Sequence, residues 1–335
     1  LCALQFDVTP LNYSGAIRIR SALDGRIIND NVVRYRELNQ KHLVPVSQGK
    51  KGHNVFLHTE TSRSKYQIVM HAKTVVYQDK TRIGSAGEIE QGKGYIAEIY
   101  SLNVAENTTC RLEKMVSIFT SLDEGIKNPR TAGRRTLSKI KSFSEVYRAH
   151  AGAWANIWKI ADIRIEGDRF MQKAARLHIY HLLVAASPHN VRIDAGMTAR
   201  GLHGEAYRGH VFWDELYILP FYNLRFPQIS KALLMYRYRR LNGAQQYAAE
   251  NGYRGAMYPW QTADSSDEET QSVHYNPADG SWGPDISRRQ RHVSIAIFYN
   301  VWRYLEDTDD KQFLRQYGAE MMLEIARFWA SIAQW

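Results

Sequence analysis

The stretch GAIRIRSALDGR, residues 15–26, begins with a strict alternation of apolar and basic side chains. A period of two residues is typical of a β-strand that has one buried and one solvated face. Two further runs, residues 65–77 and 109–123, have strand length and are rich in β-branched residues. We therefore predict a β-sandwich or large sheet, as a partial N-terminal domain over residues 1–142.

The period changes at residue 143, where apolar residues begin to recur three or four positions apart. One stripe consists of Phe170, Ala174, Leu177 and Val184, and another consists of Met322, Ile325, Trp329 and Ile332. This spacing is typical of amphipathic α-helices. We predict a helical linker over residues 143–165 and a helical domain over residues 166–335. Paired helices with long loops at one end favour an α/α toroid, so the chain is predicted to be a multidomain α and β protein.

One loop of the helical half is unusually long. Residues 261–291 are polar, contain two glycines and two prolines, and have no helical stripe. Ordered loops of this length are usually functional. The last helical run, residues 319–335, stops without a glycine cap, and the chain begins inside a strand-like run. We therefore expect an interior portion of a longer protein.

Composition and charge argue against several classes of protein. The net charge is +10, from 44 Lys and Arg against 34 Asp and Glu, but the basic runs at residues 237–240 and 288–291 are short. A solvated basic surface is therefore favoured over a nucleic-acid site. No apolar run approaches the roughly 18 residues that span a bilayer, and no secretory signal is visible, so we expect no membrane partner and a cytoplasmic location. Cys2 and Cys110 have no metal-ligand spacing, so we expect neither a metal nor an organic cofactor.

The first candidate site is the segment YRGHVFWDE, residues 207–215, at the start of an apolar helix. Trp213 offers an apolar wall for the C–H face of a hexose, and Asp214 offers a charged acceptor for its hydroxyl groups. An Asp in the first turn of a helix is also favoured by the helix dipole, so a capping acid is the alternative. The segment alone leaves both interpretations open.

Two further segments carry candidate residues. Residues 252–271 place Trp260 in a turn shaped by glycine and proline, and four acids follow within residues 264–269. Acids in a polar loop are usually only solvated. Residues 287–302 carry His292 at the entrance of a helix, where an imidazole is more often a hydrogen-bonding group than a catalyst.

Together and in this order, the segments resemble glycoside hydrolase family 65, which includes maltose, kojibiose and trehalose phosphorylases and some α-glucoside hydrolases. The resemblance is carried by GHVFWDELYILPF (209–221), YRYRRLNGAQQYAAENGYRGAMYPWQ (236–261), RHVSIAIFYNVWRYLEDTDDKQFL (291–314) and GAEMMLEIARFWAS (318–331). It extends into the first half through LNYSGAIRIRSALDGRI (11–27) and RYRELNQKHL (34–43), which look like part of the family's N-terminal β-sandwich. It implies an N-terminal β-sandwich, a helical linker and an (α/α)6 catalytic barrel, with the sandwich and the barrel only partly present here.

The resemblance also implies a substrate site. Phe212, Trp213 and Asp214 match the family's Phe-Trp-Asp, which holds the glucosyl unit on the non-reducing side of the scissile bond. Trp260 and Gln261 match the Trp followed by Glu or Gln that lines the same pocket. The implied substrate is an α-linked glucose disaccharide, cleaved with inversion by phosphorolysis or by hydrolysis. Inorganic phosphate would be the co-substrate of a phosphorylase, and a homodimer is among the expectations because the family's phosphorylases are commonly dimers.

One position departs from the family pattern. The resemblance implies a general-acid Glu two residues before the histidine of the third segment, and Gln290 stands there. An amide cannot donate that proton, and losing general acid catalysis typically costs about 10²–10⁴-fold in rate. The alternatives are an inactivated variant, a subgroup with its acid elsewhere and a carbohydrate-binding pseudoenzyme. We favour the subgroup, with Glu268 and Glu269 as candidate substitute acids.

Overall fold

The structure is a computed structural model that describes residues 1–83, 87–202 and 204–333. The described residues form two compact units, which we call the strand unit and the helical unit. The strand unit comprises Leu1–Asn29 and Asn39–Ile157, and the helical unit comprises Asp30–Leu38 and the chain from Trp158 onward. The domain boundaries predicted at residues 142 and 165 stay predictions, because compactness alone does not define a folding domain.

The strand unit contains two antiparallel sheets. Its strands are β1 Cys2–Val8, β2 Gly15–Asp24, β3 Leu43–Lys51, β4 Asn54–Thr61, β5 Gln67–Gln78, β6 Thr81–Arg82, β7 Glu88–Gly92, β8 Tyr95–Val104 and β9 Cys110–Thr120. The larger sheet has the order β1-β9-β5-β4-β3, with β6 pairing to β5, and the smaller sheet has the order β2-β8-β7.

The alternation that predicts strand β2 is confirmed, because burial switches from residue to residue along most of residues 15–24. Side chains of both sheets share two apolar clusters, so the sheets pack face to face. Leu57 of the larger sheet and Ile96 of the smaller sheet are completely buried in this layer. A two-layer β structure in the first half is thus confirmed, and each sheet has one apolar face that the other covers.

One helix lies inside the region predicted to be all strands. Helix α1, Pro129–Lys139, begins at an Asn128 side chain that accepts a hydrogen bond from the Thr131 N–H at 3.0 Å. Proline at the first helical position favours a start at this point. A Cβ on Gly133 would lie 2.7 Å from a ring carbon of His71, so the helix packs closely on strand β5. The Asn-Pro pair is the sequence signal that the strand prediction overlooked.

The remaining elements are mostly helical. They are α2 Phe143–Ala161, α3 Arg169–Ala185, α4 Glu215–Arg225, α5 Pro227–Arg239, α6 Leu241–Glu250, β10 Val273–Tyr275, β11 Trp282–Pro284, α7 His292–Thr308, α8 Lys311–Phe313 and α9 Ala319–Ile332. Helices α4, α5 and α7 pack against one another and carry the candidate site on their N-terminal segments and loops. Within the described part of the chain, no helix is both long and apolar enough to cross a bilayer.

The two predicted helical stripes differ in outcome. In α9, Ile325 of the predicted stripe is buried, whereas Met322, Trp329 and Ile332 are only partly buried. The other buried residues of α9 are Met321 and Phe328. In α3, Phe170 and Leu177 are 76% and 54% exposed, and Ile179 and Leu183 are the buried residues instead. Periodicity identifies an apolar face, but it does not identify what covers that face.

Candidate functional site

A β-bridge joins two of the candidate segments. Val211 and Thr262 exchange both backbone hydrogen bonds, with N···O distances of 2.9 and 3.1 Å. The bridge sets residues 212–214 beside residues 260–261. Two segments that are far apart in the sequence therefore become the two sides of one site.

Five rings from all three candidate segments form a continuous row. Tyr207 lies edge-on to Phe212 at 5.1 Å between ring centroids, and Phe212 lies edge-on to Trp260 at 5.2 Å. His292 then lies 5.0 Å from Trp260 and 4.9 Å from Trp213, so its imidazole sits between two indoles. Phe212 is buried, whereas the other four rings retain exposed surface. The row therefore presents a partly exposed aromatic surface, and aromatic side chains are common in the linings of ligand sites.

Asp214 immediately precedes helix α4 without capping it. Its backbone is helical, with φ −57° and ψ −21°, whereas a capping side chain requires extended backbone. No hydrogen bond joins its side chain to the first turn. Burial raises the pKa of Asp214 above its usual range, and its own backbone N–H and the charge of Arg200 offset only part of that effect. Asp214 therefore makes no capping hydrogen bond, and its role as a sugar ligand stays a prediction.

Glu215, the next residue, is buried and has a defined partner. Its Oε2 accepts a hydrogen bond from Arg237 Nε at 2.9 Å, and both side chains are almost completely buried. Arg237 also donates to the Phe212 carbonyl at 2.5 Å and to Thr262 Oγ1 at 3.2 Å. One guanidinium thus fixes both sides of the β-bridge. The two adjacent acids therefore have different surroundings, because Glu215 is paired with Arg237 and almost completely buried, whereas Asp214 is half-buried.

Arg240 anchors the next part of the same loop. Its guanidinium donates to the carbonyl groups of Asp264 at 2.7 Å and Ser265 at 3.0 Å, and to Asp194 at 3.1 Å. It also stacks over the Tyr236 ring at 3.6 Å. The prediction of a solvated basic run at residues 237–240 is wrong for Arg237 and Arg240, which are 1% and 4% exposed. Arg237 and Arg240 follow the buried Leu233 by four and seven residues, which places all three on one face of the helix. This spacing is the overlooked sequence signal for their burial.

The Glu268 side chain stabilises the turn at Trp260 through hydrogen bonds to its backbone. Its carboxylate accepts hydrogen bonds from the backbone N–H of Trp260 at 2.7 Å and of Gln261 at 3.1 Å. The N–H and hydroxyl of Thr270 donate to the same carboxylate at 3.0 and 2.6 Å. These four hydrogen bonds use both carboxylate oxygens of Glu268 as acceptors. The geometry therefore favours a positioning role for Glu268 over the role of substitute acid.

Gln261 faces a buried histidine. Its Oε1 lies 2.9 Å from His210 Nδ1, and both side chains are buried. This pair fixes the orientation of the Gln261 amide.

Glu269 and Gln290 lie at opposite ends of the long loop. The Glu269 N–H donates to the Gln261 carbonyl at 3.0 Å, and the Glu269 carbonyl accepts from Arg208 at 3.3 Å. The Glu269 residue as a whole is 9% exposed. Gln290 is half-buried in the turn before α7, where its N–H donates to the Ser287 carbonyl at 2.9 Å. The catalytic assignments of these two residues stay predictions.

An apolar groove adjoins the aromatic row. It has a volume of about 420 Å³ and lies between helices α4 and α7. Its lining is Trp213, Leu216, Tyr217, His292, Ile295, Ala296 and Tyr299. Over the described ranges, no three His, Cys, Asp or Glu side chains gather in an arrangement that suits a metal ion.

Comparison with known families assigns both halves of the chain. Residues 1–157 match the model for the N-terminal domain of glycosyl hydrolase family 65, and residues 176–335 match the model for its central catalytic domain. The chain belongs to glycoside hydrolase family 65. The predicted family is thus confirmed, and a strand-rich N-terminal region followed by a helical region agrees with it.

Several curated family 65 relatives match almost the whole chain. An uncharacterised glycosyl hydrolase of Mycobacterium tuberculosis is 39% identical over 100% of this chain and 25% of its own length. The trehalose 6-phosphate phosphorylase of Lactococcus lactis is 35% identical over 96% of this chain and 41% of its own length. The kojibiose phosphorylase of Halothermothrix orenii is 34% identical over 99% of this chain and 43% of its own length. The chain therefore spans less than half the length of these relatives.

A solved structure supports the fold. A protein from the human microbiome, described as a candidate kojibiose phosphorylase, superposes with a TM-score of 0.79 at 21% identity. The match covers 99% of this chain and 41% of the other. At this identity, the likeness concerns the fold alone.

Proposed function

We propose that the intact protein cleaves the α-glucosidic bond of a glucose disaccharide with inversion, and that this chain supplies the pocket for the glucosyl unit. The observation that carries the proposal is Asp214, a half-buried carboxylate that caps no helix and stands beside the aromatic row. Its oxygens would accept hydrogen bonds from sugar hydroxyls, while Trp213 and Trp260 cover the apolar face of the ring. Phe212 and Gln261 would line the same pocket.

The named activities of the relatives favour phosphorolysis over hydrolysis. They include phosphorylases of trehalose 6-phosphate, kojibiose, α,α-trehalose and 1,2-α-glucosylglycerol. In the proposed reaction, an oxygen of inorganic phosphate attacks the anomeric carbon from the face opposite the glycosidic oxygen. The old carbon–oxygen bond breaks, and the leaving oxygen takes a proton from a general acid. The products are β-glucose 1-phosphate and the second sugar.

Within the loop that follows Trp260, Glu269 is a better candidate than Glu268 for that acid. The four hydrogen bonds to Glu268 hold it as an acceptor, and the Trp260 turn depends on them. The Glu269 backbone is tied to the Gln261 backbone, so the residue lies next to one of the proposed pocket residues. An acid at this position would act on the glycosidic oxygen from the side of the 260–271 loop.

The proposal extends to the architecture. Helices α3–α9 would form the first part of an (α/α)6 barrel, and the intact protein would assemble as a homodimer. The superposition with the human microbiome structure and the catalytic-domain match support the helical part of this proposal.

Product analysis tests the reaction. The intact protein is incubated with kojibiose and with trehalose, each with and without inorganic phosphate. We expect glucose 1-phosphate to form only with phosphate, and NMR to identify the β-anomer. Free glucose formed at the same rate without phosphate would establish hydrolysis instead. An α-anomer product would contradict inversion.

A sugar-binding protein without turnover is the second candidate, and Gln290 is the residue that favours it. The variant Gln290→Glu separates the two functions. A gain of turnover of about 100-fold or more over an inactive parent would support the binding protein. An active parent that gains little from this change would support the enzyme.

A further inference from the structure

Nine residues from the first half of the sequence belong to the helical unit. The segment 30–38 leaves the strand unit after Asn29 and returns to it at Asn39. It contains a 3-10 turn, Val33–Tyr35, which also lies against strand β10. The sequence patterns predict no site residue in this segment, and the function proposed above does not use it.

Two side chains of the 30–38 segment bind the chain just before the aromatic row. The backbone N–H of Asn31 donates to Glu205 Oε2 at 2.9 Å, and its side-chain amide donates to Glu205 Oε1 at 3.1 Å. The backbone N–H of Tyr207 donates to the Tyr35 hydroxyl at 2.9 Å. Both carboxylate oxygens of Glu205 and the amide of Tyr207 are therefore held by this segment.

The bound turn has an unusual backbone. Tyr207, Arg208 and Gly209 have φ angles of 60°, 58° and 69°, which are three consecutive residues in the left-handed region. Side chains with a Cβ rarely adopt this conformation, and it persists only where surrounding contacts impose it. The hydrogen bonds from Asn31 and to Tyr35 are contacts of that kind.

The turn sets the position of the Tyr207 ring. That ring lies edge-on to Phe212, 5.1 Å away, and the guanidinium of Arg200 lies 5.4 Å from its centre. Tyr207 is 37% exposed, so part of its ring surface is available at one end of the aromatic row. A change in the backbone at residue 207 would move this end of the row.

We propose that Tyr35 and Asn31 are positioning residues for glucoside binding, acting through the left-handed turn to hold Tyr207 at the end of the sugar-binding wall. This inference rests on the proposed function of the Asp214 site. It assigns a role in substrate affinity to a segment outside the catalytic half of the sequence.

The test is a double-mutant cycle on the intact protein, with the dissociation constant of glucose measured by calorimetry. Tyr35→Phe removes only the hydroxyl that accepts the Tyr207 amide, and we expect affinity to fall about fivefold, the value of one hydrogen bond. In a Tyr207→Ala background, the same change should alter glucose affinity less than about twofold, because the Tyr207 ring through which Tyr35 is proposed to act is absent. Equal losses in both backgrounds would overturn the proposal, because they would mean that Tyr35 does not act through Tyr207.

Tyr238→Phe is the matched control. It removes a hydroxyl that bonds Glu320 at 3.2 Å, elsewhere in the helical unit. Its glucose affinity should equal that of the parent, and its melting temperature should match that of Tyr35→Phe. A loss of affinity in the control as large as that in Tyr35→Phe would also overturn the proposal.

A charge exchange gives a second variant in case Tyr35→Phe does not fold. Asn31→Asp places two carboxylates together and should weaken glucose binding, while adding Glu205→Gln restores a donor and an acceptor and should recover part of the affinity. Failure of the second change to recover any affinity would contradict the proposal.

The variant Asp214→Asn distinguishes failure of the proposed glucose site from failure of the positioning role of the 30–38 segment. If Asp214→Asn binds glucose as the parent does, the proposed function fails. If it loses binding while Tyr35→Phe does not, only the role of the 30–38 segment fails.

Discussion

The two basic runs of the helical half look alike in sequence and differ completely in environment. In residues 237–240, Arg237 and Arg240 are buried and together bind two acids and four backbone carbonyls. In residues 288–291, Arg288 and Arg289 are exposed. The first run therefore belongs to the framework of the site, and the second belongs to its surface.

This difference shows what makes an arginine structural. Arg237 donates to the Phe212 carbonyl next to the β-bridge and to Thr262 Oγ1 of the bridge, and it sits beside Glu215, which would otherwise be a buried acid without a cation. A guanidinium offers five N–H donors in a rigid plane, so it can bind an acid and a backbone oxygen together. The inner run should therefore control stability, and the outer run should not.

The largest expected effect comes from Arg237→Ala. It leaves Glu215 buried without its cation, a change that typically costs about 3–5 kcal/mol. In a unit of this size the melting temperature should fall by roughly 6–20 °C, as measured by calorimetry. Arg289→Ala in the outer run is the control and should shift it by less than about 2 °C. Equal shifts in the two variants would remove the distinction between the runs.

Arg240→Ala should have a smaller effect in the same direction. Its acid partner Asp194 is partly solvated, with 39% of its side chain exposed, so the loss consists mainly of bonds to carbonyl groups. We expect a cost of about 1.5–3 kcal/mol. Circular dichroism melts of Arg240→Ala and Arg240→Lys would check it, with the lysine variant intermediate. A melting temperature below that of Arg237→Ala would reverse the proposed order.

The sequence could predict the parts of the site that depend on local patterns. The Trp-Asp pair, the Trp260 turn and His292 are each visible as motifs, and the structure brings all three together. The sequence could not predict three other features: the burial of Arg237, the four hydrogen bonds to Glu268, and the hydrogen bond between Tyr35 and the Tyr207 backbone. They depend on contacts between residues that are distant in the sequence, which neither period nor composition encodes.

Glu268→Gln separates positioning from acid catalysis. An amide keeps one carbonyl oxygen but brings an NH₂ group toward the backbone donors of Trp260, so we expect a stability loss of about 1–2 kcal/mol. In a positioning role, substrate affinity should weaken and the turnover rate should fall less than about tenfold, as steady-state kinetics on the disaccharide would measure. A turnover rate lowered by about 100-fold or more, with an unchanged Michaelis constant, would restore Glu268 as the acid.

Asp214→Asn should have the smallest effect on the melting temperature, and this effect should be a rise instead of a fall. Burial raises the folded-state pKa of Asp214 above 3.8, so the folded chain binds its proton more tightly than the unfolded chain does. Ionisation therefore destabilises the fold above the folded-state pKa. Asp214→Asn should raise the melting temperature slightly at pH 7, and this gain should shrink as the pH falls toward 3.8. A lower melting temperature at pH 7 would mean that the carboxylate stabilises the fold.

A crystal structure of the intact protein soaked with glucose tests the central assignment most directly. The account predicts a glucose ring against Trp213 or Trp260, with at least one hydroxyl about 2.6–3.0 Å from the Asp214 carboxylate, and no glucose at this position in crystals of Asp214→Asn. Glucose bound elsewhere, or bound equally in the variant, would contradict it.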